Sequence, residues 1–116
     1  MKSTTISIIN TINDTHAIDA EDGQKVYDLL KKSMDAECQI ILSFRDIEVL
    51  TIAFLNTVFG QLYKAHSKEL IKQRIQVTDI SDSGRIMLKR LDNAVQLYDN
   101  NQNLDLQKSI NEILEN

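Results

Sequence analysis

The stretch Cys38–Phe44, CQIILSF, constrains the fold of this chain more than any other segment. It is uncharged, rich in aliphatic side chains and too short for a stable helix. That combination suits a strand close to fully buried, at the centre of a sheet and parallel to its neighbours. Parallel neighbours need crossovers of about a dozen residues or more, usually helical. The chain supplies a helical pattern on either side of CQIILSF, so its order of elements follows from this one strand.

Upstream, Thr4–Asn10 alternates polar residues with isoleucines and predicts a strand. Asn13-Asp14 marks a turn, and His16–Ile18 predicts a short returning strand. Asp19 and Asp22 offer N-cap carboxylates for a helix running to about Ala36, with Val26, Tyr27, Leu29, Leu30 and Met34 forming its apolar face. Gly23 sits in the first turns, where it weakens a helix by about 1 kcal/mol relative to alanine.

Downstream, Arg45–Glu48 connects to a second helix, from about Thr51 to His66, carrying Leu55, Val58, Phe59 and Leu62 at three- and four-residue intervals. Thr51 is its expected N-cap, worth about 1 kcal/mol. Arg74–Ile80 alternates and predicts a strand with Ile75, Val77 and Asp79 on one face. Ser81–Gly84 caps a third helix bearing Ile86, Met87, Leu88 and Leu91. Ala94–Tyr98 either continues that helix or forms an edge strand; the strand is preferred because Asp92-Asn93 interrupts the pattern. A loop follows, then a helix with Leu106, Ile110, Ile113 and Leu114. The expectation is one α/β domain over residues 1–116, with a mixed central sheet of about four to five strands and about four helices.

The charge balance narrows the function. A formal net charge of −4 opposes sequence-independent nucleic-acid binding, which needs a basic surface. No apolar run reaches the roughly 20 residues of a membrane span. MKSTTISIINTIND lacks the continuous apolar core of a secretion signal, and the single Cys38 cannot form an internal disulfide, so a cytoplasmic location is expected. Cys38 reads as a buried, inert thiol. There is no P-loop, GxGxxG or catalytic triad, and Gly23, Gly60 and Gly84 lie too far apart to cradle a phosphate. His16 lacks a partner at metal-ligand spacing, and His66 reads as a residue near a helix C-terminus. The expectation is no catalysis, no metal and no cofactor.

The segment ILSFRDIEVLTIAFLNTVFGQLY, together with RIMLKRLDNAVQLYDNN and LQKSINEIL, resembles the STAS domain. That is the fold of bacterial anti-sigma-factor antagonists and of sulfate-transporter tails, and the nearest likeness is to stand-alone STAS-like domains. The resemblance implies a strand, a short loop and a recognition helix at residues 41–63. In phosphorylated members the helix opens with Asp-Ser-Ser/Thr-Gly, and its second hydroxyl residue carries the phosphate. Here Thr51 stands at the aspartate position and Ala53 at the phosphoacceptor, where no phosphate can attach. The resemblance implies a non-enzymatic regulatory module that pairs with a GHKL-type ATP-binding kinase or an anti-sigma factor.

The docking surface expected on this basis comprises Arg45, Asp46, Glu48, Thr51, Asn56 and Thr57. Thr51 also reads as a candidate phosphorylation site, against the preferred reading of a structural cap. Ser43 reads as a buried, hydrogen-bonded serine, and Ser81, Asp82 and Ser83 as capping residues. A second reading is a small-ligand or nucleotide-sensing domain using Phe44, Arg45, Asp79 and Ser81 at the strand ends. Homo-oligomerisation through Tyr63, Tyr98 or the last helix is a third.

Overall fold

The computed structural model describes residues 2–94. At its centre β3 (Gln39–Ser43) lies between β1 (Ser3–Ser7) and β5 (Ile75–Thr78) and is parallel to both. CQIILSF is therefore the middle strand, as its composition requires. Ile6, Leu42 and Val77 share one register, and Thr5, Ile41 and Gln76 the next. Ile6, Ile40, Leu42 and Ile75 are buried, whereas Thr5 and Gln76 are exposed and Ile41 is half-buried.

The sheet thus has one dry and one polar face among the described residues, which corrects the expectation of a strand covered on both. The cause is topological. The strand order β1-β3-β5 advances in one direction. Right-handed crossovers that all advance the same way deposit their helices on the same side. Those helices are α2 (Ala20–Asp35) and α3 (Ile52–Ala65), with α4 (Lys68–Arg74) after α3. A further helix, α5, spans residues 82–94. Between sheet and helices lie Val26, Leu30, Phe54, Leu55, Val58 and Leu62, all essentially inaccessible. Each contributes roughly 1.5–3 kcal/mol by leaving water.

The predicted strand at Thr4–Asn10 ends early. Residues Ile8–Ile12 form a short helix, α1. The Ser7 hydroxyl accepts from the Asn10 N–H at 3.3 Å, and the Thr11 hydroxyl donates to the Ser7 carbonyl at 2.7 Å. Asn13 closes the turn in the left-handed region, and Ile8 and Ile12, four apart, are both buried. Local side-chain bonding outcompeted the strand pattern.

The expected returning strand is β2 (His16–Ala17). It pairs in parallel with an unforeseen β4 (Val49–Leu50), as a ribbon separate from the main sheet. The described structure therefore holds a three-stranded and a two-stranded sheet, both parallel, rather than one mixed sheet of four to five strands. The helix α4 was also unforeseen, and it takes Arg74 out of the strand. Asp79 leaves β5 with φ 58° and is exposed, so it does not share the face of Ile75 and Val77. No break occurs at Asp92-Asn93, and α5 continues through Ala94. The rest of the expected edge strand at Ala94–Tyr98, and the last helix, fall outside the described residues.

Gly23 has a use that composition hides. A Cβ there would lie 3.0 Å from the Phe54 carbonyl oxygen and 3.0 Å from Thr57 Cβ. The missing side chain lets the first turns of α2 and α3 approach closely. Gln61 completes the join, donating to Gln24 Oε1 at 2.9 Å and to the Thr57 carbonyl at 2.8 Å.

Candidate functional site

The site is built where β3 ends. Phe44 donates its N–H to the Thr78 carbonyl at 3.0 Å, and its ring is buried. The chain then turns: Ile47 N–H reaches the Phe44 carbonyl at 3.1 Å, with Asp46 in the left-handed region at φ 63°. Arg45 and Asp46 occupy the outside of this turn, with side chains 78% and 73% exposed. Their charged groups are 4.0 Å apart, a solvated contact of little energetic weight. Ser43 is half-buried rather than buried, and its hydroxyl accepts from the Arg45 N–H at 3.2 Å, so it is hydrogen-bonded as expected.

After the turn the backbone is pinned to the ribbon. Glu48 and Val49 donate to the Thr15 carbonyl at 2.8 and 3.3 Å, and Thr51 N–H donates to the Ala17 carbonyl at 3.1 Å. Thr51 is the N-cap of α3, with its oxygen accepting from Phe54 N–H at 3.2 Å. The same hydroxyl donates to the Ile18 carbonyl. Thr51 therefore ties helix, ribbon and loop together, and its hydroxyl is spent in both directions.

The structure brings the expected residues to one end of the molecule but gives them different duties. Arg45, Asp46, Glu48 and Asn56 are exposed. Thr57 is half-buried, with its Cβ against Gly23 and its hydroxyl donating to the Ala53 carbonyl at 3.0 Å, so it serves helix packing. Ala53 is exposed in the first turn of α3. Of the residues in the ligand reading, Phe44 is buried in the core and Ser81 accepts from Gly84 N–H at 3.1 Å as the cap of α5. Both are already committed to the fold.

Sequence reasoning missed the apolar side chains at this end. Ile18, Val49 and Ile52 are 45%, 39% and 48% exposed. It also missed Arg74, which is buried and donates to the carbonyls of Cys38, Ser33 and Met34 at 2.7, 3.3 and 3.2 Å. The alternating pattern RIQVTDI disguised it as a strand residue. A third omission is a polar knot at the far end of α3. The Tyr63 hydroxyl donates to Asp92 at 3.2 Å, and Lys68 pairs with the same carboxylate at 3.1 Å. Burial, aided by the Asp92 charge, pushes the Tyr63 phenol up to about 12. The knot borders a cavity of about 280 Å³ between α3, α4, β5 and α5, floored by Phe59, Ile71 and Val77.

His16 lies 3.3 Å from Asp14, whose carboxyl is held below its usual range, first by the backbone N–H of His16 and then by its ring. His66 ends α3, donating its N–H to the Leu62 carbonyl at 2.9 Å. Cys38 is half-buried rather than buried. Among the described residues no group of three or more His, Cys, Asp or Glu side chains is placed to hold a metal ion, and no helix is long and apolar enough to cross a membrane.

A family model described as a STAS-like domain of unknown function matches residues 22–85. The match covers more than half of the chain, from the first turn of α2 to the start of α5, and includes β3, the 45–48 turn, β4 and α3. No curated protein and no solved structure matches the chain.

Proposed function

Because this chain belongs to the STAS-like family, we propose that it is a non-enzymatic regulatory module that docks a protein partner through residues 45–57. The observation that carries this reading is the turn after β3. Arg45, Asp46 and Glu48 stand exposed on a backbone pinned by the β2–β4 ribbon, beside the first turn of α3. A rigid, charged projection costs little entropy to order on binding, which favours recognition by surface complementarity. The partner proposed, by likeness to STAS domains, is a GHKL-type ATP-binding kinase or an anti-sigma factor.

Control by phosphate at the usual position is not part of this proposal, because Ala53 offers no acceptor. Thr51 carries a hydroxyl at the start of the same helix, and its two hydrogen bonds favour the capping role. Affinity capture with the tagged full chain, read by mass spectrometry, tests the reading. Recovery of an ATP-binding regulator is expected, and its loss in the Asp46→Lys, Glu48→Lys double variant. Recovery of no such regulator, or capture indifferent to the charge reversal, sinks it. Incubation with the recovered partner and ATP is expected to leave Thr51 unmodified by phosphopeptide analysis.

A further inference from the structure

Resting on that docking reading, we infer that Ile18, Val49 and Ile52 form the apolar anchor of the interface, and that its occupant is a partner segment with apolar side chains flanked by lysine or arginine. Single exposed apolar residues are ordinary on protein surfaces. Clustering is not, and a patch rimmed by polar groups marks an interaction site. Five large apolar side chains are exposed among the described residues, and three of them belong here.

The ribbon and the Thr51 cap join the backbone segments that carry them. His16 is in register with Val49 and Ala17 with Leu50. Ala17 is buried and Leu50 packs on the core, so by strand alternation Val49 and Ile18 turn to the opposite, outer face. The Thr51 hydroxyl holds the Ile18 carbonyl beside the start of α3, where Ile52 is the first helical residue. All three side chains are β-branched and stiff at χ1, so little rotamer freedom is lost when they are covered.

The charges name the partner's chemistry. Asp19 adjoins Ile18, and Asp46 and Glu48 precede Val49; all three carboxylates are exposed. The Arg45 guanidinium beside them lies 4.0 Å from Asp46, and the nearby His16 faces Asp14. The rim is net negative, so a basic flank on the partner is attracted and an acidic one repelled.

Two synthetic amphipathic helical peptides with the same leucine stripe, one with a lysine polar face and one with a glutamate polar face, test the inference. Each is titrated into the isotopically labelled full chain and followed by amide chemical shifts. The lysine peptide is expected to bind saturably, shifting residues 18, 49 and 52, with affinity at least about tenfold above the glutamate peptide. The Ile18→Ser, Ile52→Ser double variant, which changes only exposed side chains, is expected to weaken it by about tenfold while keeping the wild-type circular dichroism spectrum. Equal affinity for both peptides, shifts confined to the Tyr63–Leu88 cavity, or no effect of the double variant overturns the anchor. So does a dimer of the chain that the same variant abolishes, which would give the patch to a second copy. If the double variant still captures the ATP-binding regulator while Asp46→Lys does not, the anchor falls and the docking reading stands. If the lysine peptide behaves as expected but no regulator is captured, the kinase reading falls and the anchor stands.

Discussion

Two arginines mark the two ends of β3, and their surroundings are opposite. Arg74, at the amino end, is 8% exposed and donates to three backbone carbonyls. Arg45, at the carboxyl end, projects into solvent beside Asp46. The difference lies in which backbone groups each end presents. At the amino end α2 terminates, and the carbonyls of Ser33 and Met34 belong to its last turn, where the helix dipole is negative. They already accept from the N–H groups of Cys38 and Glu37, and Arg74 adds a charged donor to each. At the carboxyl end helices begin instead. Their free N–H groups are met by Asp19, Thr51 and Ser81, so the fold makes no demand on Arg45. One end is closed by structure, and the other is where docking is proposed.

Substitutions at each end sharpen that contrast. Arg74→Met keeps the aliphatic stem but strips three carbonyls of a charged donor. It is expected to cost about 3 kcal/mol in urea denaturation, and a loss under about 1 kcal/mol would break the contrast. Thr51→Ala removes a cap and a tie to the ribbon, with an expected cost of about 1 kcal/mol, largely restored in Thr51→Ser. Tyr63 probes the closed end by pH. Its folded phenol ionises near 12 against 10.0 for the ordinary group, so the neutral form is the one the fold favours. Its contribution to stability is present below pH 10 and is lost as pH rises towards about 12. The phenol is partly solvated, so the loss is small; ultraviolet titration should show a late-ionising component that Tyr63→Phe removes. Arg45→Ala is expected to change stability by less than about 0.5 kcal/mol while altering partner capture, and a larger stability loss would mean the open end is structural after all.

The same contrast explains what could be read from the sequence. β3, its following turn and the Thr51 cap were legible because each is written in a few consecutive residues. α1 was not, since Thr4–Asn10 carries a period of two and the spacing of Ile8 and Ile12 speaks only once Ser7 acts as a cap. The ribbon was illegible because two-residue strands have no period, and their pairing joins residues about 33 apart. Ile18, Val49 and Ile52 lie on segments that this pairing joins, so the loop charges of the proposed site were visible and its proposed apolar part was not. The polar face of the sheet was written in Thr5, Gln39 and Gln76, but the run of aliphatics in CQIILSF outweighed it.

Gly23 sets the spacing between two helices by a methyl group it does not have. Its nearest neighbours across the gap, the Phe54 carbonyl and Thr57, bracket Asn56, which looks out to solvent. Any substituent at that position pushes on the first turn of α3 from behind. The orientation of the outward-facing residues is thereby gauged from inside the molecule, at a place no visitor to the surface can touch.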